Sequence, residues 1–411
     1  MRLRLPTVSV TTRHSVSAYP WQLGDQLPWA GPLIGINQLA GATVFSYDPW
    51  ECYAAGLLTS PNMVVLGQLG KGKSALVKTY LARQLLAGRQ AYILDPKGEY
   101  GPLAQAAGLP HLTLSPGGAD RLNPLDPGPE GATAADLARR RSGVCASLAG
   151  TGLGRLLTVE ERAALSAATA ELPAAAVLAD VTRRLLEPTP GMAAELHTSP
   201  AALAAAIRPV ALELRRLLAG DLAGMLDGPS TVTLAPAGPG LVIDLSASYG
   251  TDALPTVMTC AGAWLTAVLH AGSQRRRLLL VDEAWALLGN PATASWLQAT
   301  SKLARAHGVQ LITVVHRLSD LSGQADAGTA AHAQARGLLA DAETRVIYGQ
   351  AAGERAAAIE LLGLSADEAD LVGRLPAHRA LWRIGGRVAV VDHVLAAGEQ
   401  TLVDTDTAMR P

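Results

Sequence analysis

The chain has 411 residues, room for one large domain or two to three ordinary ones. Hydrophobic residues make up 49% of it and aromatics only 4%, so alanine and leucine must fill most of the core. A net charge of −1 excludes a generally basic surface, so any contact with nucleic acid has to be local. Only five of the 34 basic residues are lysines, and two of those, Lys71 and Lys73, fall in one short loop. Cys52, Cys145 and Cys260 are isolated and odd in number, without the CxxC or His/Cys spacing of a metal site. Neither a structural metal nor a disulfide framework is expected. The first six residues lead into no long apolar stretch, so no signal peptide is expected. The longest apolar segment, 253–270, is interrupted by Thr256, Thr259 and Thr266 and reads as a buried helix, not a membrane span. A soluble, cytoplasmic chain is expected.

Residues 1–60 are rich in glycine, proline and short β-like runs at 7–10 and 42–47, a pattern of strands laid against the edge of a core. Asn62-Met63-Val64-Val65-Leu66 is a short apolar run, read as a buried strand. Gly67-Gln68-Leu69-Gly70-Lys71-Gly72-Lys73-Ser74 follows and matches G-x-x-x-x-G-K-S. From Ala75 onward Leu76, Val77, Tyr80, Leu81 and Leu85 have helical spacing, and Gly88 can end that helix. A glycine-rich turn arising by chance would not come framed by a strand and a helix. Glycines let backbone N–H groups turn inward around phosphate oxygens, and the helix N-terminus adds partial positive charge. Residues 67–75 are therefore the expected nucleotide-binding set. Lys73 reaches the β- and γ-phosphates, and the Ser74 hydroxyl holds Mg²⁺.

Residues 90–94 form the next strand, which runs into Asp95-Pro96-Lys97-Gly98-Glu99-Tyr100. Carboxylates at a strand's C-terminal end in an α/β sheet lie where ligands bind, although a solvated turn reads equally well here. A further strand is expected at 111–114. The proline-rich run 121–129 then stops regular structure and marks a domain boundary. From 131 to 228 helical segments follow one another without a strand. Thr158-Val159-Glu160-Glu161 is a capping box, and Ser199-Pro200 opens a helix that runs toward Gly220 with a kink expected at Pro209. Its arginine runs 139–141 and 215–216 could touch DNA, but exposed helix faces carry such charges routinely, and these runs, like 275–277 further on, are expected as plain exposed surface. The α/β pattern resumes at Thr231. Strands are expected at 240–245, 278–283, 310–316 and 345–348, with helices at 253–270 and 296–307. Two β runs at 380–384 and 387–391 flank Gly385-Gly386 as a hairpin. The expected organisation is a β-rich segment (1–60), a first core part (61–130), an all-helical insertion (131–228) and a second core part (229–411).

The fully apolar strand 278–283 ends in Asp282 and Glu283. Asp282 is placed to hold Mg²⁺ through water, and Glu283 to polarise an attacking water. The order of loop strand, Asp-Glu strand and further strand is that of the additional-strand ATPases, an α/β fold of RecA-like architecture. In that class the strand after the Asp-Glu strand lies between it and the loop strand. Its tip residue, here His316, faces the γ-phosphate as a sensor. A cation for the transition state is expected from Arg305, acting on a neighbouring subunit, or from Arg345.

The loop at 67–74, Asp95 to Tyr100, Asn123-Pro124-Leu125-Asp126, Asp282-Glu283-Ala284-Trp285 and His316-Arg317-Leu318-Ser319-Asp320-Leu321 occur in the order of the type IV secretion and conjugative-transfer ATPases. The chain resembles that family, of the HerA–FtsK superfamily, over residues 25–408. Its Leu402-Val403-Asp404-Thr405-Asp406 is similar to members from actinobacterial plasmids. The resemblance implies ATP and Mg²⁺ as cofactors and hydrolysis between subunits of a homo-hexameric ring. It also implies channel proteins and non-specific DNA as partners, and a place at the cytoplasmic face of the membrane without an integral span. Many relatives have glutamine where His316 stands. The docking domain that secretion ATPases carry before the loop is expected to be missing, since about 60 residues precede it. Two other functions fit the same motifs: a free HerA/FtsK-like motor on double-stranded DNA, and an ATP-binding scaffold without useful turnover. Intact Lys73, Asp282 and Glu283 argue against the scaffold.

Overall fold

The computed structural model describes residues 30–39, 41–127, 133–220, 222–232, 234–235, 237–270, 275–288, 291–316 and 330–404. The strand expected at 7–10 lies outside them, as do Arg317 to Leu321 and the last two residues of the stretch 402–406. Strands β1 (Leu33–Asn37) and β2 (Thr43–Ser46) precede a short helix α1 (Pro49–Ala54), which Asp48 caps by accepting from the N–H groups of Trp50 and Glu51. Then come β3 (Met63–Leu66), α2 (Lys73–Leu86), β4 (Gln90–Asp95), α3 (Gly101–Ala107) and β5 (His111–Thr113). Five helices follow: α4 (Ala134–Leu153), α5 (Val159–Thr169), α6 (Leu178–Leu186), α7 (Pro190–Glu195) and α8 (Pro200–Ala219). The Thr158–Glu161 capping box forms at the start of α5, and Ser199 caps α8, which carries Pro209 in its interior.

The alternation of strand and helix returns with β6 (Gly240–Asp244), α9 (Leu254–His270), β7 (Arg277–Val281), α10 (Trp285–Leu288), α11 (Pro291–Ala304), β8 (Val309–Val315), α12 (Ala330–Asp341) and β9 (Thr344–Tyr348). Helices α13 (Arg355–Leu362) and α14 (Ala366–Val372) lead to the hairpin β10 (Arg379–Ile384) and β11 (Arg387–His393), and α15 (Gln400–Val403) closes the described chain. No helix among the described residues is long and apolar enough to cross a membrane.

All eleven described strands lie in one sheet, in the order β2-β1-β11-β10-β9-β3-β8-β7-β4-β6-β5. From β9 to β5 neighbours are parallel, and from β10 outward they are antiparallel. β8 sits between β3 and β7, with Leu66 opposite Val315 and Val281 opposite Thr313. The additional strand is therefore in the expected place. β3, β7 and β8 are buried along their whole length, as parallel strands covered on both faces must be. Side chains alternate between two cores. Val64 and Leu66 face the core built with the five-helix insertion, α9 and α11, while Met63 and Val65 face the core built with α2 and α3.

The insertion leaves after β5 and returns at β6, which pair in parallel through His111 opposite Val242. Its root is pinned by polar contacts from the Asn123 to Asp126 stretch. The Asn123 amide donates to Ala176 O at 3.0 Å, and Asp126 accepts from Ser230 Oγ at 2.5 Å and Trp264 Nε1 at 3.0 Å. Arg141 corrects the expectation of an exposed arginine run. It is 1% exposed, and its guanidinium donates to the carbonyls of Leu125, Leu172, Pro173 and Ala174. Arg277 is buried too, at the start of β7, and donates to His307 O. Tertiary packing, not the run of charge, decides these positions.

Replacing Arg141 by methionine keeps much of the volume and strands four carbonyls without that donor. A buried polar group left unsatisfied costs about 1–3 kcal/mol. Arg141→Met is therefore expected to destabilise the insertion by about 3 kcal/mol, read as a lowered thermal midpoint and faster hydrogen exchange in α4 and α6. An unchanged midpoint would show that Arg141 is not the pin.

Candidate active site

In the parallel half of the sheet the strand ends point the same way, so Leu66, Val315, Val281, Asp95 and Asp244 lie along one edge. Such an edge collects ligands because loops there are free of pairing while the strands hold their bases rigid. The glycine-rich loop leaves β3 at this edge. Gly67 has φ +149°, and a Cβ there would collide with Tyr348 at the end of β9. Gly72 caps α2 at φ +104°, where a Cβ would come 2.9 Å from Nδ1 of His378. The loop is further tied to β9 and the hairpin by Gln68 N–H donating to Gly349 O at 3.1 Å and His378 N–H donating to Lys71 O at 2.8 Å. Its shape is therefore set by packing as well as by its glycines.

Lys73 is the first residue of α2 and is 4% exposed. Its ammonium donates to Gly67 O and, at 2.9 Å, to Gln68 O. Burial pushes its pKa down to about 8, against the pull of Asp282 and Glu283. Ser74 is half-buried on the same first turn, beside the N-terminal end of the helix.

Asp282 and Glu283 follow β7 and are 5% and 1% exposed. Asp282 accepts from Tyr100 Oη at 3.0 Å and from the Glu283 N–H at 2.9 Å. Burial, and Glu283 beside it, push its pKa up to about 6. Glu283 has φ +51°, a left-handed conformation that costs a non-glycine residue about 1–3 kcal/mol. The turn aims its carboxylate across the strand ends. Oε1 meets the Lys97 ammonium and lies 2.5 Å from His316 Nε2, and Oε2 accepts from Trp285 Nε1. Burial would raise the Glu283 pKa, but the bonds from His316 and Lys97 outweigh it and hold the group down at about 2. His316 therefore reaches the carboxylate from the end of β8, and its Nε2 is also 3.2 Å from the Lys97 ammonium.

Lys97 and Tyr100 enter the site by way of Asp95. The Asp95 carboxylate is fully buried and accepts from the N–H groups of Lys97 at 3.2 Å, Glu99 at 3.1 Å and Tyr100 at 2.9 Å. Burial raises its pKa in spite of those bonds. The carboxylate thus folds the turn that delivers Lys97 to Glu283 and Tyr100 to Asp282. The sequence pattern drew attention to the acids of this stretch and left Lys97 and Tyr100 without a role. The signal was an aspartate at a strand end followed by proline and glycine, which favours a side-chain-stabilised turn.

Of the two arginines expected near the reaction, Arg345 stands apart from this group. Arg345 on β9 donates from all three guanidinium nitrogens to helix-end carbonyls: Ala342 at 3.2 Å, Leu362 at 2.7 Å and Leu339 at 3.1 Å. It joins the ends of α12 and α13. For Arg305 the described structure gives the backbone alone, in the 3-10 turn Arg305–His307 that leads into β8.

The donors fit a hydrated divalent cation held mainly by phosphates. A hydroxyl at Ser74 and a buried carboxylate at Asp282, whose pKa is raised by burial and by Glu283 beside it, are the hard oxygen ligands that Mg²⁺ prefers. Among the described residues no group of three or more His, Cys, Asp or Glu side chains makes an all-protein metal cage.

No protein-family model matches the sequence, and no curated protein matches it. Solved structures match the fold. VirB4 of Thermoanaerobacter pseudethanolicus superimposes with a TM-score of 0.72 at 21% identity, over 92% of this chain and 100% of that one. The bacterial conjugative coupling protein TrwB, with residues 1–70 removed, gives a TM-score of 0.54 at 17% identity, over 82% of this chain and 85% of that one. TrwB in complex with a non-hydrolysable ATP analogue gives 0.55 at 16% identity over 82% and 86%, and TrwB has also been solved with ADP and Mg²⁺. The chain therefore has the α/β P-loop fold of VirB4 and TrwB, with an eleven-stranded mixed sheet at its centre.

Proposed function

We propose that the protein is an Mg²⁺-dependent ATPase that drives a type IV secretion or conjugative DNA-transfer system. One observation carries the enzymatic part: the glycine-rich loop and the Asp282-Glu283 pair, more than 200 residues apart in sequence, open onto one strand edge with β8 between them. In this reading the loop N–H groups and Lys73 hold the phosphates. Ser74 and Asp282 would hold Mg²⁺, which would neutralise phosphate charge. Glu283 takes the proton of the attacking water, and His316 fixes the carboxylate that does so. The fold likeness to VirB4 and to nucleotide-bound TrwB supports the transfer setting.

Two variants separate binding from chemistry. Lys73→Ala is expected to lose hydrolysis and to bind nucleotide more weakly. Glu283→Gln is expected to retain ATP and to release phosphate about 10²–10⁴-fold more slowly, the usual effect of removing a general base. Wild-type turnover in Glu283→Gln would reassign the base.

A ring, with six subunits as the family resemblance implies, would bring a cation from one protomer to the loop of the next. Arg345 is occupied by helix ends, so that role falls to Arg305, on the turn before β8. Arg305→Ala and Lys73→Ala subunits, each inactive alone, are expected to regain partial turnover when mixed. A trans arginine contributes about 10³–10⁵ in rate. Mixed rings with no recovered turnover would exclude Arg305 as the trans cation.

DNA and the channel proteins are the proposed partners, at the cytoplasmic face of the membrane. With Arg141 and Arg277 buried, the arginine runs offer less basic surface than their sequence suggests. Weak stimulation by duplex DNA is therefore expected, measured as ATP turnover across a salt series with and without non-specific duplex. Strong stimulation that collapses with salt marks several phosphate contacts and would favour a free DNA-pumping motor.

A further inference from the structure

Lys97 is a cation in direct contact with Glu283 that the proposed roles leave unused. Its backbone is fixed, because the Asp95 carboxylate accepts from its N–H at 3.2 Å within a fully buried turn. Its side chain reaches into the site and is 22% exposed. The ammonium pairs with Glu283 Oε1, lies 3.2 Å from His316 Nε2 and 5.7 Å from the centre of the Tyr249 ring. It also stands within electrostatic range of Lys73, whose charged form it disfavours. The Lys97 ammonium thus lies on the loop side of Glu283, where a phosphate held by the loop would be its alternative anionic partner.

We propose that Lys97 is a positioning residue that changes partners when nucleotide binds. It holds the Glu283 carboxylate in the nucleotide-free protein and turns its ammonium to the terminal phosphate of a nucleoside triphosphate. The proposal rests on the reading of this site as an ATPase. A lysine suits the task, since its point charge sits on a flexible stem and demands no fixed geometry of its partner. The turn that carries it stays rigid while the stem swings. His316 and Trp285 keep the carboxylate oriented when Lys97 leaves, so Glu283 is freed of a counter-charge without being displaced. A diphosphate has no oxygen at that end of the site. The exchange is therefore a device for telling ATP from ADP, and it couples release of the base to arrival of the γ-phosphate.

The test compares binding of Mg²⁺ with ADP and with a non-hydrolysable ATP analogue in wild type, Lys97→Met, Lys97→Gln and Lys97→Arg. Lys97→Met and Lys97→Gln are expected to bind the analogue about tenfold more weakly, the scale of one charge-assisted phosphate contact, while ADP affinity stays within about twofold. Lys97→Arg restores the ratio of the two affinities to within about threefold of wild type, because the cation is restored. An unchanged ratio in both neutral variants would overturn the proposal. Equal loss of both affinities would overturn it as well, since that is the signature of a merely structural lysine. Lys73→Ala serves as the separate control. If it too binds both nucleotides normally, the ATPase reading itself fails. If it loses both while the Lys97 variants keep the wild-type ratio, only the role of Lys97 fails.

Discussion

Two carboxylates buried at the end of an apolar strand impose the central constraint on this structure. Asp282 and Glu283 are almost without solvent, and between Arg277 at the start of β7 and these acids the strand carries only the apolar Leu278 to Val281. Burying an unpaired carboxylate costs far more than the marginal stability of a domain, so each must be given partners. The strand order makes this possible. β7 lies between β8 and β4, so its tip receives His316 from one side and the Asp95 turn from the other. Asp282 takes the hydroxyl of Tyr100, and Glu283 takes Lys97, His316 and Trp285. The resulting network holds Glu283 in a left-handed conformation that the backbone would otherwise avoid.

The same logic extends to the helical insertion. Its ends belong to β5 and β6, which are neighbours in the sheet, so the five helices form one closed excursion from a narrow root. Asn123, Asp126 and Arg141 fill that root with bonds to backbone carbonyls, to Ser230 and to Trp264. Between the insertion and the core lies a cleft of about 740 Å³, lined by Thr151 and Arg216 on one side and by Tyr249 and Trp285 on the other. Those two aromatic rings also touch Lys97 and Glu283. The cleft and the charge network thus share a wall made by Tyr249 and Trp285.

Much of this was legible in the sequence. The loop at 67–74 announces itself because phosphate recognition demands glycines and a lysine at fixed spacing, and Asp282-Glu283 stands out because nothing in an apolar strand explains paired charge. The strand runs were readable because parallel strands, covered on both faces, are continuously apolar. Arg141 was misjudged because a triple arginine on a helix has the pattern of a solvated face, and only the packing of Leu125 and residues 172–174 around it reveals the burial. Lys97 was overlooked because its role depends on two strands separated by almost 200 residues meeting side by side. Helices α13 and α14 carried no strong pattern, since their short alanine-rich turns bury few side chains.

The balance of charge at the strand edge bears on how the site completes itself. Lys73 and Lys97 face Asp282 and Glu283, two cations against two anions, and each ammonium is satisfied within the protein: Lys73 by loop carbonyls, Lys97 by Glu283. A nucleoside triphosphate with its Mg²⁺ remains net negative, and part of that charge falls on the loop N–H groups and the start of α2. If Lys97 turns to the phosphate, Glu283 keeps Trp285 and His316 as partners and loses the lysine counter-charge, which leaves it freer to act as a base. The negative charge that grows on the phosphoryl oxygens in the transition state then draws no help from Arg345, which is committed to helix ends. With Lys73 held by loop carbonyls and Arg345 by helix ends, a cation brought by a second protomer would add to this site the charge that the proposed ring calls for.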